Sequence, residues 1–166
     1  MKKIFVDMDG VLTDFNKYYT ELFGRTPAQV KADRDRKEYS VHWDQFVNVR
    51  AFASLDWHEG GRELVRYLEQ LDNVQITVLT SAGGFNRQRD VQEQKLEWLS
   101  KHGITWPAVV VPGRRYKSGF ADSDSLMIDD TYDVWDSFIK AGGSAIHVNG
   151  INNTIELVDQ WIRSFD

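Results

Sequence analysis

The chain predicts an α/β protein with a Rossmann-like parallel five-stranded sheet, helices on both faces, and a small helical insertion after the first strand. Three observations carry this. Five short β-prone runs recur along the chain, each bounded by Gly, Pro, Ser, Asp or Asn. Helix-length segments with apolar residues spaced by three and four lie between them. Residues 14–58 alone break the alternation.

Taken in order, residues 3–6 form a short apolar run that ends in acids and Gly10, so they read as a buried strand followed by a tight loop. Residues 14–58 are rich in Phe, Tyr and Trp, carry the charged stretch KADRDRKEY and contain no strand-like run. They predict a mainly helical insertion, with the charged stretch as a solvated helix face. A helix over about 60–71 (Leu64, Leu68, Leu71) leads to a strand at 75–79. A helix over 87–102, phased on Val91, Leu96 and Leu99, leads to a strand at 108–111. The strand at 125–128, a helix at 131–141 (Val134, Phe138), the strand at 144–148 and a last helix at 153–165 complete the pattern. Such alternation implies right-handed crossovers, and such sheets bind ligands at the carboxyl ends of their strands.

At 166 residues and 42% hydrophobic, the chain can bury one sizeable core. A net charge of -5 with scattered Lys and Arg gives no basic face for an extended nucleic-acid duplex. The absence of Cys excludes disulfides, zinc-thiolate sites and thiol nucleophiles. No apolar run approaches the ~20 residues of a membrane span, and strand-like residues begin at once, so a cytoplasmic protein without membrane contact is expected.

The chemistry concentrates at strand ends. Asp7-Met8-Asp9-Gly10-Val11 follows the first strand, and carboxylates one residue apart face opposite ways unless the chain turns. Gly10 allows that turn, so one carboxylate can attack phosphorus while the other handles a proton. An Asp-rich turn that merely ends a strand is the plain alternative. After the second strand, Thr80 and Ser81 precede two glycines and offer hydroxyls and backbone N–H groups to a phosphate. Asp129-Asp130 closes the fourth strand; adjacent acids repel unless a cation sits among them, and magnesium suits oxygen ligands. The competing reading has these acids capping the next helix at Thr131. Lys117, between the third and fourth strands, is preferred as the cation for a substrate phosphate; Lys95, within the helical pattern, is read as solvated.

The ordered set Asp7-x-Asp9-Gly10-Val11, Thr80-Ser81, Lys117 and Asp129-Asp130 resembles the four motifs of the haloacid dehalogenase superfamily. The insertion resembles that superfamily's helical cap, which implies a core of residues 1–13 and 59–166 and a cap of 14–58. The resemblance implies that Asp7 is nucleophile and metal ligand. Asp9 would be general acid/base and offer its backbone carbonyl to Mg2+. Thr80 and Lys117 would hold the phosphoryl group, and Asp130 would bind the metal directly beside Asp129. The opening VDMDGVLTDF is similar to the 5′(3′)-deoxyribonucleotidase family, in which Phe15 would line the base pocket and Ser81 would add a second phosphate-contacting hydroxyl. Trp43 and Phe52 are further base-pocket candidates, although aromatics at helical spacing are more often core. The implied function is magnesium-dependent hydrolysis of a small phosphate ester, a nucleoside monophosphate, through an aspartyl-phosphate. Sugar phosphates or polynucleotide termini are the alternative substrates, and a non-catalytic Mg- or phosphate-binding module is the alternative class.

Overall fold

Alternating burial along each strand builds a sheet with two covered faces. In the computed structural model, which describes residues 1–33 and 36–166, the strands are β1 (Lys2–Val6), β2 (Val74–Ser81), β3 (Ala108–Val111), β4 (Ser125–Asp129) and β5 (Ser144–His147). They pair in parallel in the order β3-β2-β1-β4-β5, so the first strand lies at the centre. In β1, Ile4 and Val6 enter one core and Phe5 enters the other; in β4, Leu126 and Ile128 oppose Met127 in the same way.

Helices α4 (Gly61–Leu68), α5 (Gln88–Lys101) and α7 (Ile151–Arg163) cover the first face with Leu64, Leu68, Val91, Trp98 and Val158. Helix α6 (Tyr132–Lys140) covers the second with Val134 and Phe138. Each such side chain contributes roughly 1.5–3 kcal/mol on full burial. The parallel five-stranded α/β sheet expected from the sequence is therefore present. Element ends move slightly: β2 runs on through Thr80 and Ser81, and α7 starts at Ile151 rather than 153.

Between β1 and α4 the chain forms α1 (Phe15–Phe23), α2 (Pro27–Ala32) and α3 (Lys37–Asn48), then a 3₁₀ turn at Ala51–Ser54. Local chemistry sets these ends. Asp14 accepts from the Lys17 N–H to start α1, and Gly24, at φ 72°, closes it. Thr26 and Gln29 form a reciprocal capping box at α2, with Pro27 in the first turn. Of the charged stretch expected to be one solvated helix, Lys31 and Ala32 end α2 and Lys37 begins α3, all exposed. Arg34 and Asp35 lie outside the described residues.

The aromatic residues of this segment pack on one another. Tyr19 is fully buried, with its hydroxyl 2.7 Å from His42 Nδ1, and Phe46 lies 4.9 Å from both Phe15 and Phe52. Helix α5 ties the segment to the sheet: Gln94 donates to the Val47 carbonyl at 2.8 Å, Trp98 Nε1 to the Leu55 carbonyl at 2.7 Å, and Arg50 to Glu97 at 2.6 Å. Among the described residues, no helix is long and apolar enough to cross a membrane.

Candidate active site

From β1 the chain winds one way across the sheet to β2 and β3, and from β4 it winds the other way to β5. A crevice therefore opens at the carboxyl ends of β1 and β4. The Asp7 N–H donates to the Ile128 carbonyl at 3.0 Å, which sets Asp7 level with the end of β4. The chain then turns: the Met8 carbonyl accepts from the N–H groups of Val11, Leu12 and Thr13 while the Met8 side chain is buried. Gly10 sits at φ +84°, and a Cβ there would lie 2.0 Å from Asp130 Oδ2. Only glycine permits both the turn and the approach of Asp130. As a result Asp7 and Asp9 line one cavity of about 720 Å³.

Lys117 is 2% exposed and donates to Asp7 Oδ1 at 2.9 Å and Asp129 Oδ2 at 2.8 Å. An ammonium has three donors, so one N–H remains to meet a ligand. Burial would lower the Lys117 pKa, but Asp7 and Asp129 outweigh it and hold it at about 12. Burial pushes Asp7 up to about 7, against the pull of Lys117 and with help from Asp129 and Asp9.

Lys95 is where the structure corrects the sequence reading. It is 1% exposed, not solvated, and donates to Asp9 Oδ2 at 2.9 Å, Thr80 Oγ1 at 2.7 Å and the Ser81 carbonyl at 2.8 Å. The inward face of α5 runs through Val91, Gln94, Lys95, Trp98 and Leu99, while Leu96 is 40% exposed. Phasing the helix on Leu96 rotated Lys95 outward; the spacing of Val91, Lys95 and Leu99 by four was the available signal. Thr13, also overlooked, is fully buried and donates from Oγ1 to Asp9 Oδ1 at 2.9 Å. Asp9 is thus gripped through both oxygens.

Thr80 accepts from Lys95, so its own hydroxyl hydrogen is free to point elsewhere. Ser81 Oγ accepts from the Gly83 N–H at 3.1 Å and also lines the cavity. Gly83, at φ +76°, lies so close to Trp43 that a Cβ would meet its Cζ2 at 2.5 Å. Phe15 and Trp43 line the cavity. Phe52 does not: it is fully buried, stacked 5.8 Å from Phe15 at 14°, with the Lys95 ammonium 5.1 Å from its ring centre. The Phe52 ring packs behind the wall instead of forming it.

Asp7, Asp129 and Asp130 bring carboxylate oxygens within 4.8 Å of one another. A cluster of hard oxygen donors touched, among the described residues, by the Lys117 ammonium fits a hard divalent ion. Asp129 is fully buried and already engaged, through Lys117 and the N–H of Thr131, the residue before α6, at 2.9 Å. Asp130 is exposed and accepts from the Thr131 hydroxyl at 3.2 Å. The Asp9 carboxylate turns away from this cluster toward Lys95 and Thr13.

Fold and site together define a phosphoric monoester hydrolase of the haloacid dehalogenase type. The profile of the family described as 5′ nucleotidase, deoxy (pyrimidine), cytosolic type C protein matches residues 1–161, and the chain belongs to that family. A solved structure, described as a hydrolase from Streptococcus pneumoniae TIGR4, is similar in fold with a TM-score of 0.58. It is 18% identical, and the match covers 96% of this chain and 100% of that one. No curated protein matches the sequence significantly.

Proposed function

We propose that this protein is a magnesium-dependent nucleotidase that hydrolyses nucleoside monophosphates through an aspartyl-phosphate on Asp7, in the cytoplasm. The observation that carries the reading is that two carboxylates from one turn enter the same cavity, each held by its own buried lysine: Asp7 by Lys117 and Asp9 by Lys95. One carboxylate is set for attack and the other for proton transfer. On this reading residues 14–58 form the cap, and Phe15 and Trp43 stack the base. The family's description favours pyrimidine deoxynucleotides.

Asp7, Asp130 and the Asp9 carbonyl, with Asp129 behind them, would hold magnesium, which would supply charge to offset repulsion between the Asp7 carboxylate and a phosphate dianion. Asp7 attacks phosphorus in line as the bond from phosphorus to the nucleoside oxygen breaks. Asp9 gives its proton to the departing oxygen, which requires exchanging one of the two hydrogen bonds that grip it. The free N–H of Lys117 and the hydroxyls of Thr80 and Ser81 hold the non-bridging oxygens. Asp9 then takes a proton from water, whose oxygen attacks phosphorus and breaks the bond to Asp7. Inorganic phosphate leaves and both carboxylates are restored.

The test is phosphate release from deoxy- and ribonucleoside monophosphates and sugar phosphates, with and without Mg2+, in the wild type and Asp7→Asn. Release from nucleotides that needs Mg2+ and disappears in the variant is expected. Activity confined to sugar phosphates would sink the nucleotidase reading.

A further inference from the structure

The cavity is larger and more cationic at its mouth than cleavage of one phosphate requires. Lys117 sits in a 3₁₀ segment, Arg114–Phe120, and side chains three residues apart in a 3₁₀ helix lie one above the other. Arg114 therefore lies on the same face of the segment as Lys117, one turn or ~6 Å along its axis at a rise of ~2 Å per residue. Its Nε donates to Asp133 Oδ2 at 2.8 Å, which fixes the guanidinium, and its two terminal nitrogens make no hydrogen bond among the described residues. Across the mouth, Lys31 at the end of α2 lines the same cavity. Its ammonium lies 4.7 Å from the centre of the Tyr39 ring and forms no ion pair among the described residues. The positive charge of Arg114 is one of the forces holding the Lys31 pKa down, after burial itself. Two cations near enough to repel thus line the same cavity, on a chain of net charge -5. The same cavity is lined by two exposed aromatics, Phe85 (66% exposed) and Tyr116 (40%), edge to face at 6.1 Å, with Arg115 over the Tyr116 ring. Exposed rings in one cavity with cations that keep free N–H donors are the usual surface for a base and its phosphate.

Building on the nucleotidase reading, we propose that the preferred substrate carries a second phosphate beyond the one that is cleaved. Lys31 and Arg114 hold it, as at the phosphorylated end of a short single strand whose next base rests on Phe85 and Tyr116. The separation of Arg114 from Lys117 is on the scale of neighbouring phosphates in a strand. Asp133 leaves the outward edge of the guanidinium free to bind such a phosphate.

Binding tests this independently of turnover. The full-length Asp7→Asn variant is titrated with a nucleoside 5′-monophosphate, the matching 3′,5′-bisphosphate and a 5′-phosphorylated trinucleotide, followed by isothermal titration calorimetry. The bisphosphate, the trinucleotide or both should bind about tenfold tighter than the monophosphate at low salt, the scale of one or two partly exposed charged hydrogen bonds. The gain should vanish when Lys31→Gln and Arg114→Gln are added, with monophosphate affinity unchanged. A gain shared by the bisphosphate assigns the mouth to any second phosphate; a gain confined to the trinucleotide assigns it to a strand. Equal affinity for all three overturns the proposal and leaves the nucleotidase reading standing, and failure to bind any nucleotide overturns both.

Discussion

Replacing Lys95 by Met keeps most of the side-chain volume and removes one buried charge. Three acceptors lose their donor at once: Asp9 Oδ2, Thr80 Oγ1 and the Ser81 carbonyl. The Asp9 side chain is 30% exposed, so water in the cavity can replace part of its lost partner, but Lys95 itself is fully enclosed. A charged hydrogen bond contributes roughly 1.5–3 kcal/mol and a neutral one about 1 kcal/mol. Allowing for that rehydration, the expected loss of stability is about 2–4 kcal/mol. For a chain of this size that corresponds to a fall in Tm of roughly 5–15 °C. The effect on turnover should be larger, about 10²–10⁴-fold in kcat, because Asp9 loses the contact that aims it. Thermal unfolding by circular dichroism gives the first quantity and steady-state phosphate release the second. The decisive assay is a cycle with Asp9→Asn. If Lys95 acts through Asp9, the double variant should be scarcely slower than Asp9→Asn alone. Additive losses, or a Lys95→Met protein with wild-type kcat and Tm, would refute the assignment of Lys95 as the positioning residue for Asp9.

Gly10→Ala should cost about 1–3 kcal/mol from its left-handed backbone, and its new methyl must displace Asp130. Weakened Mg2+ affinity, measured by calorimetry, should accompany the drop in Tm. Chelation should abolish turnover, and added Mg2+ should raise Tm by mass action. Because the Asp7 pKa is raised from 3.8 to about 7, the folded metal-free protein keeps a proton there that the cation must displace. Mg2+ affinity should therefore fall about tenfold per unit below pH 7. By the same linkage, the stability contributed by neutral Asp7 without metal is full below pH 3.8 and lost as pH rises to about 7. Denaturant titration across that range, with and without Mg2+, checks both signs. Trp43→Ala should raise KM several-fold more for nucleotides than for a small aryl phosphate, since the ring lines the cavity.

The sheet was legible because each strand is a short apolar run cut off by turn residues, and parallel pairing follows from the helices between them. The acids were legible for a related reason. Asp7, Asp9, Asp129 and Asp130 interrupt those runs at their carboxyl ends, where a polar residue has no packing reason to be. Lys95 was hidden because a helical pattern is read from its apolar members, and a buried lysine counts as polar until its partners are known. Leu96, exposed at 40%, supplied the misleading phase. Phe52 failed in the opposite sense. Its type suits a base pocket, but whether a ring lines a cavity or backs the residue that does is decided by how α3 packs on the 3₁₀ turn, and no local signal carries that. The boundary of β2 was missed at Thr80 and Ser81 because hydroxyls suggest a loop, although Thr80 is buried in the strand.

The contact between Gly83 and Trp43 ties two tasks to one loop. The same residue that gives its N–H to Ser81 serves as the floor beneath the indole. On the nucleotidase reading, whoever wishes to redesign this enzyme for a bulkier base cannot treat Trp43 and the Ser81 hydroxyl as separate modules. Any side chain that presses Trp43 downward presses on the hydroxyl two residues away. Selection for a new substrate will accordingly meet its first penalty in rate, and substitutions that repair that rate should be sought at 81–84 before the more distant aromatic residues.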